Sequence, residues 1–242
     1  MSTLPRALPP TIRFALTLSW AFRTMLDRII PAGLFGFLGL SRMNLLIQRL
    51  GQAPATDEGQ ALVVYRLDVA HQTLASVFLV LVGALCLTRK APLTQRAGLL
   101  PIVVALAGTF IMAFPATQPR ITDDRWLLTL AGLLIIAGLA YAIYAVSSLR
   151  SCFGLAAEAR GLVTSGAYRQ VRHPVYLGEL IAALGVLLPV LTPLTGMTFV
   201  LFVAAQGYRI HLEERVLSAA FEDYDAYRRR VPLLVPWPRP TS

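Results

Sequence analysis

The chain has 242 residues, of which 56% are hydrophobic and only 14% charged, and its mean hydropathy is +0.62. This balance excludes a chain built mainly of soluble domains and indicates one integral membrane domain. The formal net charge is +9, and Lys90 is the one lysine among 22 basic residues. Because the arginines are scattered over the loops beside apolar segments, we expect them to follow the bias of cytoplasmic loops and not to bind nucleic acid.

The amino-terminal region does not resemble a cleaved signal peptide. Arg23, Asp27 and Arg28 interrupt the apolar stretch that a signal peptide would need. We therefore expect this region to be retained, with a first membrane segment at 29–48 that could begin as early as Phe14.

Apolar segments of membrane-spanning length follow one another along the chain. A helix needs about 20 apolar residues to cross a hydrocarbon core of about 30 Å. Four segments approach this length, at 29–48, 71–88, 98–118 and 126–149. The apolar region from Val175 to Gln206 is too long for one span, and two prolines and a glycine at 189–196 predict a hairpin with arms of about 15 to 17 residues.

These segments predict an all-α, polytopic integral membrane protein with about six transmembrane helices. The last two form the short hairpin, which a cytoplasmic carboxy-terminal helix follows. We divide the chain into amino-terminal membrane helices at 1–150 and a catalytic region at 151–242. Basic residues gather in the loop after residue 88, in the loop at 150–172 and in the tail after Gln206. This distribution predicts cytoplasmic termini. The strong bias toward arginine hints at a bacterium with GC-rich coding, so we expect the bacterial inner membrane as the location.

Two other features carry less chemistry. Gly33, Gly36 and Gly39 lie three apart in an apolar segment, which favours close helix packing over a nucleotide-binding loop. Cys86 and Cys152 have no metal-ligand spacing and cannot form a disulfide framework, so we expect no metal site.

The stretch LVTSGAYRQVRHPVYLGE at 162–179 gathers ionisable and aromatic residues at the edge of an apolar segment. Such residues are costly to place near a membrane and often line cavities or functional sites. His173 and Pro174 mark a helix start, because proline is well tolerated in the first turn. Tyr176 and Glu179 then follow within the first turns of that helix.

A second polar group appears where the hairpin ends, in RIHLEERVLSAAFEDYDAYRRRVPLLVP at 209–236. Arg209 and Glu213 are four apart and share a helix face, as do Tyr224 and Tyr227 at a spacing of three. Arg209 and Glu213 could pair with each other, hold opposite ends of a zwitterionic ligand, or be an interfacial arginine beside a solvated acid.

Together the two stretches resemble the carboxy-terminal catalytic region of the isoprenylcysteine carboxyl methyltransferase family and its bacterial relatives. The resemblance covers residues 150–236, about a third of the chain. It implies an S-adenosylmethionine pocket on the cytoplasmic side. The residues that match the family's cofactor contacts are Gly161, Leu162, Val163, Tyr168, His173, Pro174, Val175, Tyr176 and Glu213.

The resemblance also implies that Arg209 binds the carboxylate of the substrate and is the catalytic residue of this region. Arg160 stands where some relatives have a histidine, and Arg172 and Glu179 are open between structural pairing and the pocket. A sulfonium methyl group is already activated, so transfer requires positioning and exclusion of water more than an acid–base pair.

We therefore expect an S-adenosylmethionine-dependent methyltransferase acting on a lipophilic or lipidated substrate among membrane lipids, with carboxyl O-methylation favoured. Thiol and amine acceptors are open. The alternatives are an NADPH-dependent sterol-type membrane reductase, whose relatives also carry an HPxYxGE-like stretch, and a non-catalytic membrane interaction protein.

Overall fold

The computed structural model describes residues 24–51, 59–93 and 99–236, and within these ranges all regular secondary structure is helical. The predictions that concern Phe14 and Arg23 lie outside the described residues. The α-helices are α1 (Ile30–Leu50), α2 (Gly59–Thr88), α3 (Leu99–Phe110), α4 (Ala113–Ala116), α5 (Arg125–Leu149), α6 (Pro174–Leu187), α7 (Pro193–Ala220) and α8 (Tyr224–Arg230).

Three stretches of helix are long and apolar enough to cross a membrane: Met25–Leu50, Leu62–Thr88 and Arg125–Cys152. Two shorter apolar helical stretches cover Leu100–Ala116 and Pro174–Val190. Large apolar side chains project from the spans into the surroundings, as a lipid-facing surface requires. The all-α prediction and the membrane-spanning character are confirmed, whereas the number of six spans stays a prediction.

The helices pack in an order that places the carboxy-terminal hairpin beside the amino-terminal spans. α1 packs on α2, α2 on α5, and α5 on α6, while α3 lies against α7. α2 begins at Gly59, well before the predicted start at residue 71. The polar extension is tolerated because Asp68 pairs with Arg49 of α1 at 2.7 Å.

The hairpin breaks where the prolines predicted it, but the two prolines act differently. Pro189 lies in a turn of 3₁₀ helix at Leu188–Val190, whereas Pro193 is the first residue of α7. The Thr192 and Thr195 side chains form a reciprocal capping box at that helix start. The second arm is longer than predicted because α7 continues without a break to Ala220 and carries both Arg209 and Glu213.

Glycines bring α5 and α6 into backbone contact. A Cβ atom on Gly178 would lie 2.6 Å from the Gly138 carbonyl oxygen, and one on Gly185 would lie 2.6 Å from that of Ala131. Gly178 belongs to the HPVYLGE stretch, so part of that motif serves helix packing. Of the three glycines in α1, Gly39 packs as predicted, with a would-be Cβ 2.7 Å from Val80, whereas a Cβ on Gly33 or Gly36 would meet open space.

A buried group of charges, here called the Asp27 cluster, joins the amino-terminal helices to the loop at 150–172. The Asp27 Oδ1 atom lies 3.0 Å from Arg89 Nη2 and 2.9 Å from Arg160 Nη2, and Arg160 also pairs with Glu158 at 2.6 Å. Arg160 Nη1 donates to the Lys90 carbonyl as well. These contacts fix the chain just before Gly161, where the predicted cofactor-binding residues begin.

Candidate active site

The start of α6 lies where two distant parts of the chain meet. His173 caps the helix and Pro174 is its first residue, as the sequence predicted. The backbone N–H groups of Arg172 and His173 donate to the carbonyls of Pro232 and Leu233, at 2.9 and 3.1 Å. The VP segment of the second motif is thus attached to the RHP segment of the first.

Glu214 is surrounded by donors at this junction. Its Oε1 atom lies 2.8 Å from His173 Nε2 and 2.5 Å from the Tyr224 hydroxyl, and its Oε2 atom lies 3.1 Å from Arg172 Nη1. Burial alone would raise the pKa of Glu214, but the hydrogen bonds from His173 and Tyr224 and the nearby positive charges outweigh it and lower the pKa to about 2. Glu214 is therefore an ionised structural partner.

His173 lies between two carboxylates. Its Nδ1 atom is 3.6 Å from Glu213 Oε2, on the side opposite the contact with Glu214. Burial opposes the charged form, but the hydrogen bonds to Glu213 and Glu214 prevail and raise the pKa of His173 above its ordinary value. Since both ring nitrogens face acceptors, this geometry favours the imidazolium form.

Glu213 is held by the first turn of α6. The Tyr176 hydroxyl donates to Glu213 Oε1, and His173 lies beside Oε2. The Glu213 side chain nevertheless keeps a quarter of its surface exposed. It is a fixed carboxylate with capacity left for a ligand.

Arg209 lies one turn before Glu213 and does not pair with it. Its guanidinium carbon is 4.8 Å from the centroid of the Tyr176 ring, and Nη1 donates to Gln206 Oε1 at 2.9 Å. The carboxylate nearest to it in an ion pair is Glu179, at 4.0 Å. The expectation that Arg209 and Glu213 could neutralise each other is therefore not met.

One cavity of about 1090 Å³, a volume that includes its open mouth, connects these groups. Nine of the ten predicted site residues line it: Gly161, Leu162, Val163, Tyr168, His173, Val175, Tyr176, Arg209 and Glu213. Pro174 is fully buried and does not line the cavity; its place is the first turn of α6. The structure therefore brings together two sequence stretches that are about 40 residues apart, as the motif spacing predicted.

The other side of the cavity is apolar and comes from the amino-terminal spans. Its lining residues there are Phe35 of α1, Phe78 and Val82 of α2, Thr109 of α3, and Val146 and Leu149 of α5. The sequence had no motif for these positions. The cavity is thus lined both by polar side chains of the carboxy-terminal region and by mostly apolar side chains of the membrane helices.

The three residues whose roles the sequence left open differ in their relation to the cavity. Arg172 and Glu179 line the cavity, whereas Arg160 is 2% exposed in the Asp27 cluster and does not line it. Sequence reasoning missed Gln206, although its three-residue spacing from Arg209 on one helix was a usable signal. It also left out Tyr227, whose hydroxyl donates to the Tyr168 carbonyl at 2.7 Å and fixes that loop.

Gly161 has a packing reason for being glycine. A Cβ atom there would lie 2.5 Å from the Cys152 Sγ atom, so the loop could not pass this point with a side chain. Within the described ranges, no group of three or more His, Cys, Asp or Glu side chains is placed to hold a metal ion.

Comparison with known proteins gives a consistent result for the carboxy-terminal part. The chain is 42% identical over 76 residues to methanethiol S-methyltransferase of Mycobacterium tuberculosis, a match that covers 29% of each chain. It is 32% identical over 146 residues to the cobalt-zinc-cadmium resistance protein CzcN of Cupriavidus metallidurans, covering 59% of this chain and 64% of that protein. The chain thus spans less than two thirds of the length of either relative.

A family profile matches the region that holds the cavity. Residues 130–219 match the isoprenylcysteine carboxyl methyltransferase (ICMT) family, and this range includes most of α5, all of α6 and nearly all of α7. The matched range contains every predicted site residue from Gly161 to Glu213. The resemblance inferred from the two motifs is confirmed: residues 130–219 of this chain are similar to the isoprenylcysteine carboxyl methyltransferase family.

Proposed function

We propose that the protein is a membrane methyltransferase that uses S-adenosylmethionine and acts on a lipophilic acceptor, with carboxyl O-methylation as its first candidate reaction. One observation carries this proposal: Arg209 and Glu213, one turn apart on α7, both line a cavity whose far side consists of membrane-helix side chains. The family match of the same region supports the reaction class.

The residues present fit the cofactor. S-adenosylmethionine supplies an activated methyl group when bound, and its amino-acid end carries an ammonium group that suits a fixed carboxylate. Glu213 is such a carboxylate, oriented by Tyr176 and His173 and still partly exposed. The loop from Gly161 to Val163 offers backbone groups to the same cavity.

Arg209 would bind and orient the acceptor. A guanidinium can hold a carboxylate through two parallel hydrogen bonds, which fixes both the position and the direction of the attacking oxygen. The apolar side chains of Phe35, Phe78 and Val82 would receive the lipophilic part and keep water away from the reacting atoms. The site then needs no strong base, because a carboxylate acceptor has no proton to lose.

Thiol S-methylation is the second candidate. It is favoured by the match to a relative named methanethiol S-methyltransferase and by the carboxylate of Glu179, which already offsets part of the Arg209 charge. The NADPH-dependent reductase and the non-catalytic membrane protein remain the alternatives that a binding measurement separates from both.

The proposed partners and location follow from the shape of the cavity. The acceptor would enter from the lipid phase, and the cofactor from the cytoplasmic side where the basic loops are placed by the charge rule. We propose that the protein lies in the inner membrane of a bacterium, among membrane lipids, with both termini in the cytoplasm. We propose neither nucleic acid nor metal as a partner.

The decisive experiment begins with cofactor binding to the purified protein in detergent or lipid discs. Saturable binding of S-adenosylmethionine without binding of NADPH is expected. The opposite preference would favour the reductase, and binding of neither would favour a non-catalytic role.

Incubation with methyl-labelled S-adenosylmethionine and a lipid extract then identifies the product. A base-labile label indicates an ester and carboxyl O-methylation, whereas a base-stable thioether indicates a thiol acceptor.

A further inference from the structure

Gln206 lies between Glu179 and Arg209, two residues of opposite charge type that line the cavity. Its Nε2 atom donates to Glu179 Oε2 at 2.5 Å, and its Oε1 atom accepts from Arg209 Nη1 at 2.9 Å. The side chain is 1% exposed, and no motif of the sequence includes it. A fully buried amide thus bridges a carboxylate and a guanidinium that stand 4.0 Å apart.

The orientation of this amide follows from its neighbours. A guanidinium can only donate, so the carbonyl of Gln206 must face Arg209, and the amino group then faces Glu179. Helix α3 packs against this pair of side chains. A Cβ atom on Gly108 would lie 3.2 Å from Gln206 Oε1 and 3.5 Å from Arg209 Nη1, so this glycine lets α3 pack directly over the pair.

The bridge prevents a stronger contact. In a buried site, a guanidinium and a carboxylate attract each other strongly and form parallel hydrogen bonds when nothing separates them. Such a contact would use the same donors that an acceptor carboxylate needs. In this structure, hydrogen bonds to Gln206 and to the Leu155 carbonyl use two of the five N–H donors of Arg209.

We propose that Gln206 is a positioning residue that keeps Arg209 from closing on Glu179 and so leaves the guanidinium available to an acidic acceptor. The inference rests on the proposed function for the identity of the acceptor. The effect on Arg209 itself is a property of the protein alone and can be measured without turnover.

The test uses the full-length protein in lipid discs and the substitution Gln206→Met, which keeps the length of the side chain and removes both hydrogen bonds. The modification rate of Arg209 by phenylglyoxal, an apolar arginine reagent, is measured by peptide mass spectrometry. Exposed Arg169 serves as the internal reference in the same digest. We expect the Arg209 rate to fall about tenfold, because the freed guanidinium pairs with Glu179.

The double variant Gln206→Met/Glu179→Gln separates positioning from packing. Removal of the Glu179 charge should restore the Arg209 modification rate to within about threefold of the wild type, since nothing is left to close on the guanidinium. A merely structural role for Gln206 predicts no such rescue. Gln206→Asn, which is too short to bridge both partners, repeats the test if the methionine variant does not fold.

An unchanged Arg209 rate in a folded Gln206 variant overturns the inference, and so does a fall that the Glu179→Gln change fails to reverse. Binding of S-adenosylmethionine, measured on the same samples, should stay within about twofold of the wild type. Failure of the wild type to bind the cofactor would refute the proposed function while the reagent result still decides the role of Gln206.

With farnesoic acid as a lipophilic acid acceptor, the same variants add a kinetic readout. Gln206→Met should raise the KM for this acid about tenfold with a smaller change in kcat, and the double variant should lower it again.

Discussion

Two buried arginines, Arg160 and Arg209, show how the same residue type serves two purposes in one protein. Arg160 pairs with Asp27 and Glu158, donates to the Lys90 carbonyl and lies away from the cavity. Arg209 has an amide neighbour, a carboxylate at 4.0 Å and a place in the cavity wall. The difference teaches that a buried arginine in close contact with two carboxylates joins parts of the fold, whereas a cavity-lining arginine whose carboxylate neighbour stands 4.0 Å away is a candidate for binding a ligand.

The largest effect is expected where the ion-pair network of the Asp27 cluster is broken. Asp27→Ala removes the carboxylate shared by Arg89 and Arg160 and leaves two buried positive charges with one acid between them. We expect the free energy of unfolding to fall by about 3 to 5 kcal/mol, as for other broken buried ion pairs. Chemical unfolding in detergent measures this change.

Asp68→Ala is the matched control, since its pair with Arg49 lies at the surface and half of the Arg49 side chain is exposed. That change should cost less than about 1 kcal/mol. Equal losses for the two variants would contradict the structural role given to the Asp27 cluster.

Removal of Arg209, the arginine that lines the cavity, should act on chemistry and not on folding. Arg209→Ala should reduce kcat/KM for an acidic acceptor about 100-fold, because a bidentate charged contact contributes about 2.7 kcal/mol. The affinity for S-adenosylmethionine should stay nearly unchanged. Labelled-methyl transfer and equilibrium binding measure the two quantities.

Turnover of a thiol acceptor by the same variant tests whether Arg209 acts on the acceptor carboxylate. If the enzyme methylates thiols, Arg209→Ala should affect thiol turnover much less than acid turnover. A parallel loss of cofactor affinity would show that Arg209 does not act on the acceptor alone.

Glu213→Gln should show the opposite pattern. Loss of this negative charge should weaken binding of S-adenosylmethionine about tenfold, the effect of one charged hydrogen bond. Tyr176 can still donate to the amide oxygen, so the local fold should persist. Isothermal calorimetry gives the affinity, and exposed Glu222→Gln is the control that should leave it unchanged.

The smallest effect concerns pH, and it acts through His173 and Glu214. The raised pKa of His173 contributes stability that is present below about pH 6.5, its unfolded value, and is lost as the pH rises through the folded value. The lowered pKa of Glu214 contributes stability that is present above its unfolded value and is lost as the pH falls toward about 2.

Thermal unfolding should therefore be most resistant in the mildly acidic range, and the protein should become less stable toward alkaline pH. His173→Gln should flatten the alkaline limb, and Glu214→Gln the acidic limb. An alkaline limb that His173→Gln leaves unchanged would assign that limb to another group.

Sequence patterns predicted the parts of the site that depend on local geometry. The helix start at His173 and Pro174 follows from the restrictions that proline places on the backbone. The shared face of Arg209 and Glu213 follows from helical periodicity. The contact between the two motifs follows from the proline-containing turn, which reverses the chain between them.

Other features could not be predicted because they depend on long-range packing. Asp27 and Arg160 are 133 positions apart, and nothing near either residue indicates that they pair. The apolar side of the cavity contains common hydrophobic residues such as Phe35 and Val82, which look the same in sequence whether they face lipid, core or ligand. The separation of Arg209 from Glu179 required the side-chain positions of two helices.

The hydrogen bonds that join Pro232 and Leu233 to the segment before α6 have a consequence for biosynthesis. These two residues leave the ribosome after all the helices that line the cavity have been made, and the N–H groups of Arg172 and His173 have no such partners until then. The cavity is therefore completed late in synthesis, when the membrane helices are already inserted. A nascent chain in the membrane would pass through a stage in which the start of α6 is not yet joined to the carboxy-terminal segment.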